Sequence, residues 1–145
     1  MAEASVSETT GVYRDPEPFA LEAQGHSLVF YPGGDDRRRA LMDLVGSATT
    51  TLDICFYIFA EDEVSSELRD ALCAAARRGV AVTLILDSFG ASASDRFLQP
   101  LVDAGGRYFC FSPRIGLRYL IRIHQRMGMA DGERALFGGF KIEDD

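Results

Sequence analysis

A histidine, a basic residue and an aspartate lie close together near the carboxyl end of the sequence. His124 is followed by Arg126 and Asp131, and the glycine pair Gly138 and Gly139 begins seven residues after Asp131. Near neutral pH an imidazole can act either as a nucleophile or as a general acid. Glycines let a bound group approach the backbone closely. These residue types at this spacing indicate a candidate site for nucleophilic and acid–base chemistry.

The charge distribution indicates the kind of group that such a site would bind. The chain has a net charge of -7, yet the segment 104–132 contains one acid, Asp131, and five arginines, at positions 107, 114, 118, 122 and 126. An acidic protein lacks the extended basic surface that general nucleic-acid binding requires. A local basic stretch can still bind one phosphate group. We therefore expect a small anionic ligand or a lipid headgroup as the partner, and the acidic composition argues against general nucleic-acid binding.

The cysteines and the second histidine do not form a metal-binding pattern. Cys55, Cys73 and Cys110 are widely spaced, and His26 lies far from His124. Structural metal sites combine ligands at short, regular spacing. We predict neither a metal nor another cofactor, and we expect three buried thiols in a reducing compartment. His26 is predicted to be a loop residue.

The amino-terminal segment is polar and has no apolar centre. Residues 1–24 contain acids, serine, threonine and two prolines, without the basic and apolar regions of a Sec signal. No apolar run in the sequence approaches the roughly 18 residues that span a bilayer. We expect a polar tail over 1–24 and a protein that is cytoplasmic or peripheral on the inner membrane, with non-Sec secretion left open.

The middle of the chain alternates between strand and helix patterns. Runs of β-branched and aromatic residues predict strands over 27–31, 50–59, 80–86 and 108–111. Apolar residues at helical spacing predict three intervening helices. The first begins at Asp35 or Asp36, the second carries the repeat Val64, Leu68, Leu72 and Ala75 and stops before Gly79, and the third covers roughly 95–104. Pro100 is expected to kink the third helix or to mark its start. The alternation predicts an α/β class with βαβ units and a largely parallel sheet covered on both faces.

The end of the sequence follows a different pattern. Two short runs, 125–130 and 134–140, are separated by Asp131-Gly132-Glu133, which predicts a β-hairpin. His124 therefore lies at the start of a hairpin strand. We predict one domain over 25–145.

The residues from His124 to Asp144 resemble the signature of the phospholipase D superfamily, H-x-K-x4-D followed by G-[GS]-x-N. The matching residues are His124, Arg126, Asp131, Gly138, Gly139 and Lys141. The run GGFKIED is most similar to bacterial cardiolipin synthase-type members. Upstream, TTTLDICFYIFAEDEVSSELRDAL followed by RRGVAVTLILD has the family's order of strand, acidic turn, helix and parallel strand. The resemblance covers residues 27–144.

The resemblance implies an α/β/α sandwich, no metal, and a role for each matching residue. His124 is implied to be the nucleophile that forms a phosphohistidine, while a second copy of the motif supplies the histidine that protonates the leaving alcohol. Arg126 is implied to stabilise negative charge on the phosphoryl oxygens, and Asp131 to tie its hairpin to neighbouring basic groups. Gly138 and Gly139 are implied to let the backbone approach the phosphate.

Two residues depart from the family pattern. The family has lysine where this chain has Arg126, and asparagine where it has Lys141. Both positions keep a cation or gain one, so phosphate binding is expected at Arg126, Gly138, Gly139 and Lys141. A planar guanidinium, however, does not replace a compact ammonium in a tight pocket without movement. Nearby, Arg118 and Arg122 are four residues apart, which fits either a basic amphipathic patch for anionic lipid or a loop with exposed arginines.

Three functions are consistent with these residues. The first is a phospholipase D-type phosphodiesterase or phosphatidyltransferase acting on phospholipid, in which this chain supplies one of two motifs and a second half follows residue 145. The second is a single-motif endonuclease that completes its site as a homodimer. The third is an inactive, truncated or degenerate remnant that binds phosphate or a partner subunit.

Overall fold

The structure is a computed structural model that describes residues 12–112 and 126–138. It contains three helices and seven strands in the order ββαβαβαβββ. The strands are β1 Phe19–Ala23, β2 His26–Phe30, β3 Thr51–Phe56, β4 Ala81–Asp87, β5 Arg107–Phe111, β6 Met127–Ala130 and β7 Arg134–Phe137. The helices are α1 Gly34–Ser47, α2 Glu63–Arg77 and α3 Asp95–Asp103.

Five strands form one mixed sheet in the order β5-β4-β3-β6-β7. Strands β3, β4 and β5 are parallel, because each is joined to the next through a helix. Strand β6 pairs antiparallel with β3, and β7 pairs antiparallel with β6 through a short turn. The predicted α/β class and the carboxyl-terminal hairpin are confirmed, and the sheet is mixed, with parallel pairing among three of its five described strands.

The three helices lie side by side on one face of this sheet and bury a single hydrophobic core. Leucines of α1, α2 and α3 pack against alternate residues of the central strands, among them Leu52, Ile54, Val82 and Leu84. Gly128 of β6 lies directly under α1: a Cβ atom there would come within 2.9 Å of side-chain carbons of Ile54 and Leu44. The sequence predicted helices on both faces, whereas the described helices cover one.

Side-chain caps set the start of two helices. The carboxylate of Asp62 accepts a hydrogen bond from the backbone N–H of Ser65 at the start of α2, and the hydroxyl of Ser94 accepts one from Phe97 at the start of α3. Such caps satisfy N–H groups that have no partner within the helix. Helix α3 therefore begins at Asp95, and Pro100 lies inside it rather than at its start.

The hairpin of β1 and β2 stands apart from the core. Its five residue pairs include a stacked pair of rings, Phe19 and Phe30, yet every residue of both strands is exposed. Strand β1 falls within the segment 1–24 that was predicted to be a polar tail, and His26 lies in β2 rather than in a loop. The boundaries of the domain remain a prediction.

Two of the three cysteines are buried as predicted, and one is not. Cys55 and Cys73 are buried, whereas Cys110 is exposed. Cys110 lies on β5, which is an edge strand of the sheet. An apolar sequence around a residue on an edge strand does not ensure that its side chain is buried. Within the described residues no helix has both the length and the apolar composition needed to cross a bilayer.

Replacing Leu84 with alanine is expected to lower the free energy of unfolding by about 2–5 kcal/mol, because this side chain fills the centre of the core. The matched control is Leu28→Ala on β2, where the side chain is 41% exposed. That change is expected to cost less than about 1 kcal/mol. Urea unfolding followed by circular dichroism measures both, and equal losses would contradict the described core.

Candidate functional site

Two residues of the signature, Arg126 and Gly138, lie at the edge of the sheet where the parallel strands end. Met127 pairs with Cys55 near the carboxyl end of β3, and Phe137 pairs with Met127. Arg126 immediately precedes β6 and Gly138 immediately follows β7, and the N–H of Gly138 donates to the carbonyl of Arg126 at 3.1 Å. The hairpin therefore holds Arg126 and Gly138 side by side at this carboxyl edge. Ligands of open α/β sheets commonly bind at such an edge.

The structure describes three of the six predicted site residues. Arg126 is half-buried and Gly138 is exposed at the carboxyl edge. His124, Gly139 and Lys141 lie outside the described residues. They are close in sequence to Arg126 and Gly138, which is consistent with a shared pocket, but the pocket itself remains a prediction.

Asp131 lies at the opposite end of the hairpin, and its contacts define a structural role. Its carboxylate accepts hydrogen bonds from three consecutive backbone N–H groups, those of Thr49 at 3.0 Å, Thr50 at 2.7 Å and Thr51 at 3.2 Å. The hydroxyls of Thr49 and Thr50 and the guanidinium of Arg134, at 3.0 Å, complete the set. Asp131 thus ties the hairpin turn to the start of β3.

These contacts explain the acidity of Asp131. Hydrogen bonds from the backbone N–H of Thr50, and then of Thr49 and Thr51, hold the pKa of the Asp131 carboxyl well below its usual range despite an opposing effect of burial. Its backbone is left-handed, with φ at +58°, a conformation that aspartate tolerates better than most residues. The resemblance implied basic partners for Asp131; the structure shows one, Arg134, beside three backbone N–H groups and two threonine hydroxyls.

The three threonines that donate hydrogen bonds to Asp131 were not predicted from the sequence. Their signal is the run Thr49-Thr50-Thr51 directly before a buried strand. A run of small hydroxyl residues offers both backbone N–H and side-chain O–H donors to a single carboxylate. The signal was present, but the pairing joins residues about eighty positions apart and depends on the sheet register.

A tightly packed loop after β4 borders the same carboxyl edge. Asp87 is fully buried, and its carboxylate accepts the N–H of Phe89 at 2.9 Å. Gly90 lies against the carbonyl oxygen of Tyr57, which a Cβ atom at this position would approach to 2.3 Å. The N–H of Ser92 donates to the carbonyl of Phe59. The loop is therefore anchored across the end of β3, beside the position where β6 begins.

Asp87 also acts on a neighbouring thiol. Burial raises the pKa of the Cys55 thiol, and the negative charge of Asp87 raises it further. Asp87 was not among the site residues predicted from the sequence. An aspartate that ends an apolar strand is a visible signal, but only the folded sheet buries it beside the edge that Arg126 occupies.

The topology and the placement of the signature define a phospholipase D-like domain. The profile of the family described as "Cardiolipin synthase, PLD-like domain" matches residues 41–144. The chain therefore belongs to this family of phospholipase D-like, cardiolipin synthase-like phosphodiesterases.

Several curated cardiolipin synthases are similar to this chain. The major cardiolipin synthase ClsA of Bacillus subtilis is 30% identical over 131 residues, which is 87% of this chain and 27% of that protein. Cardiolipin synthase B of Escherichia coli is 32% identical over 122 residues, or 80% of this chain and 30% of that protein. The chain thus spans less than a third of the length of these relatives.

Two solved structures share the fold. Nuc from Salmonella typhimurium, a phospholipase D family member, superposes with a TM-score of 0.56 at 19% identity, covering 73% of this chain and 64% of that one. NucT from Helicobacter pylori gives a TM-score of 0.60 at 15% identity, covering 88% and 74%. At these identities the likeness concerns the fold alone, and it supports the expected phospholipase D-like architecture.

Replacing Asp131 with asparagine is expected to lower the melting temperature at pH 7, because an amide cannot accept all the N–H donors that surround the carboxylate. The folded-state pKa of Asp131 is lowered, so the unfolded chain binds its proton at a higher pH than the folded chain. The stabilisation is therefore complete above the ordinary carboxyl pKa of about 4 and is lost as the pH falls below it.

Thermal unfolding between pH 3 and pH 7 measures this effect. The difference between wild type and Asp131→Asn should be constant near neutrality and should shrink below about pH 4. Asp43→Asn on α1, where the side chain is exposed, is the matched control. A wild-type advantage over Asp131→Asn that persists unchanged at pH 3 would argue against the carboxylate's role.

Proposed function

We propose that this chain is one half of a phospholipase D-type phosphodiesterase or phosphatidyltransferase that acts on phospholipid through a phosphohistidine intermediate. One observation carries the proposal: the β6–β7 hairpin brings Arg126 and Gly138 together at the carboxyl edge, and His124, Gly139 and Lys141 lie within three residues of them in sequence. The similarity to cardiolipin synthases favours phospholipid as the substrate.

In the proposed reaction, an imidazole nitrogen of His124 attacks the phosphorus of the phosphodiester. A P–N bond forms, the P–O bond to the leaving alcohol breaks, and the histidine of a second motif gives that alcohol its proton. Water or an acceptor alcohol then loses its proton to the second histidine and attacks the phosphorus. The P–N bond breaks and His124 is released, which gives hydrolysis with water and phosphatidyl transfer with an alcohol.

Cations near the phosphate would lower the barrier of both steps. Negative charge accumulates on the phosphoryl oxygens as each nucleophile attacks, and preorganised cations stabilise that charge. Arg126 and Lys141 supply two such cations in this chain. Gly138 is exposed at the end of β7, and the lack of a side chain there leaves room for a phosphoryl group to approach the backbone.

The role of His124 is tested by its replacement with alanine. Phosphatidylglycerol vesicles report lipid cleavage and transfer, and plasmid DNA reports nuclease activity. We expect His124→Ala to reduce phospholipid turnover to background, because no other group in the proposed site can form the covalent intermediate. His26→Ala, on the exposed hairpin, is the matched control and should keep full activity. Turnover that survives in His124→Ala would contradict the proposal.

The two departures from the family signature define a second test. The double change Arg126→Lys and Lys141→Asn restores the family residues, and we expect it to raise phospholipid turnover, because a compact ammonium and an amide fit a phosphoryl pocket built for them. The assay is run with the chain alone and with the carboxyl-terminal half of a cardiolipin synthase relative. Activity that requires the second half supports the proposal; cleavage of DNA by the chain alone supports an endonuclease; inactivity in every combination supports a phosphate-binding remnant.

A further inference from the structure

A groove separates the amino-terminal hairpin from the main sheet. Residues of β2 line one side of it, residues of β7 line the other, and α1 lies between them. The helix contributes one stripe of side chains at helical spacing, which are Arg37, Ala40, Leu44 and Ser47. The volume of the groove is about 1050 Å³, near the upper end of the range for sites that bind small organic ligands.

The groove leads to the candidate functional site. Ser47 at the end of α1 accepts a hydrogen bond from Arg134 at the start of β7, and β3 begins at this same edge of the sheet. Helix α1 therefore runs opposite to β7, and its first turn lies at the carboxyl edge, where β7 ends. Arg37 on that turn and Gly138 after β7 both line this end of the groove. A phosphate bound at Gly138 would thus lie at the mouth of the groove.

Three consecutive arginines on α1 differ in their partners. Arg38 forms an ion pair with Glu67, and Arg39 forms one with Asp36. The guanidinium of Arg37 has neither an ion pair nor a hydrogen bond with any residue that the structure describes, although its Nε is buried. A buried polar group without a partner is uncommon in proteins, because it loses the hydration that it has in water. Arg37 is therefore available to bind an anion in the groove.

Apolar side chains line the same end of the groove as Arg37. Phe30 and Tyr31 come from the end of β2, Ala40 lies one turn further along α1, and Phe137 ends β7. Arg37 itself is half-buried among these elements. An inorganic ion would contact the guanidinium and leave the apolar walls unused. A cation beside apolar walls instead matches an amphiphile, whose anionic group and apolar group are joined in one molecule.

The two acids that line the groove lie away from this end. Glu133 precedes β7 and is five residues from Gly138, which is about 17 Å along a strand. Asp43 lies six residues after Arg37, which is about 9 Å along a helix. Positive charge at one end and negative charge at the other orient an anionic ligand. Its charged group is drawn to the carboxyl edge, beside Gly138.

We propose that the carboxyl end of this groove binds an anionic phospholipid, with the guanidinium of Arg37 holding a phosphoryl oxygen. The apolar walls at Phe30, Tyr31 and Phe137 then contact the glycerol and the first part of an acyl chain. A guanidinium offers several donors in a planar fork, which suits the oxygens of a phosphate. Arg37 is in this arrangement a specificity residue that α1 supplies to the site, from a part of the sequence outside the signature.

The role of the groove in turnover rests on the proposed function, whereas binding can be measured without it. Isothermal titration calorimetry of the full chain with dihexanoyl phosphatidylglycerol measures the lipid, and inorganic phosphate provides the comparison. We expect the lipid to bind at least about tenfold more tightly than inorganic phosphate, because only the lipid buries apolar surface on the walls. We expect Arg37→Ala to raise the dissociation constant of the lipid at least about tenfold, because a charge-assisted hydrogen bond is lost.

Arg39→Ala is the matched control, since it removes the same charge from the same helix. The Arg39 side chain is 69% exposed and paired with Asp36, so this variant should bind the lipid as the wild type does. Arg37→Lys should recover part of the affinity, because it keeps the charge but loses the fork. Thermal unfolding shows whether Arg37→Ala keeps its fold, which is expected because the side chain stabilises no described neighbour through a hydrogen bond.

The outcomes separate the groove from the proposed chemistry. A wild type that does not bind the lipid, an Arg37→Ala variant that binds normally, or equal losses in Arg37→Ala and Arg39→Ala would each overturn the site. Inorganic phosphate that binds as tightly as the lipid would overturn phospholipid as the ligand. Binding that depends on Arg37 in a chain without phospholipid turnover would support the groove while contradicting the proposed function.

Discussion

The hydrogen bonding of Asp131 is the constraint on which the placement of the hairpin depends. A β-strand that slips by one residue turns every side chain to the other face of the sheet, so the pairing of β6 with β3 must be specified. The carboxylate of Asp131 binds the three N–H groups of Thr49, Thr50 and Thr51 at the start of β3. Because those donors belong to consecutive residues, the carboxylate has one position in which it satisfies them all. That position fixes the register of the hairpin.

The strand register that Asp131 sets at the turn of the hairpin determines which residues lie at its open end. With Met127 paired to Cys55, Arg126 and Gly138 lie level with Phe56, the last residue of β3, at the carboxyl edge of the sheet. The aspartate of the signature therefore contributes to the site without approaching it. It sets the strand pairing, and the pairing sets the location of the cation and of the glycine. The aspartate that sets the strand pairing and the candidate site residues therefore belong to one short stretch of sequence.

Among the described residues, the three helices cover one face of the sheet and bury the core against it. Phe109 and Phe137 lie on the two edge strands and are largely exposed. The apolar burial that stabilises the described part of the domain therefore lies between the helices and the sheet.

Much of the fold was accessible from the sequence because it rests on local patterns. The helical spacing of Leu68 and Leu72, the uninterrupted strand at Val82 to Leu86, and the Asp131-Gly132 turn are each encoded within a few residues. The signature was likewise recognisable from residue types and spacing alone. The predicted burial of Cys110 was wrong, because this residue sits in an apolar run but lies on an edge strand, where burial depends on the tertiary structure.

The sequence by itself determined the α/β class, the hairpin and the chemical character of the residues around His124. Only the tertiary structure decided that Asp131 binds three threonine N–H groups and that Asp87 is buried at the carboxyl edge of the sheet. The reason is physical: turns, caps and hydrophobic periodicity depend on neighbours in sequence. Hydrogen bonds and surfaces that join distant strands depend on a register that the whole sheet sets.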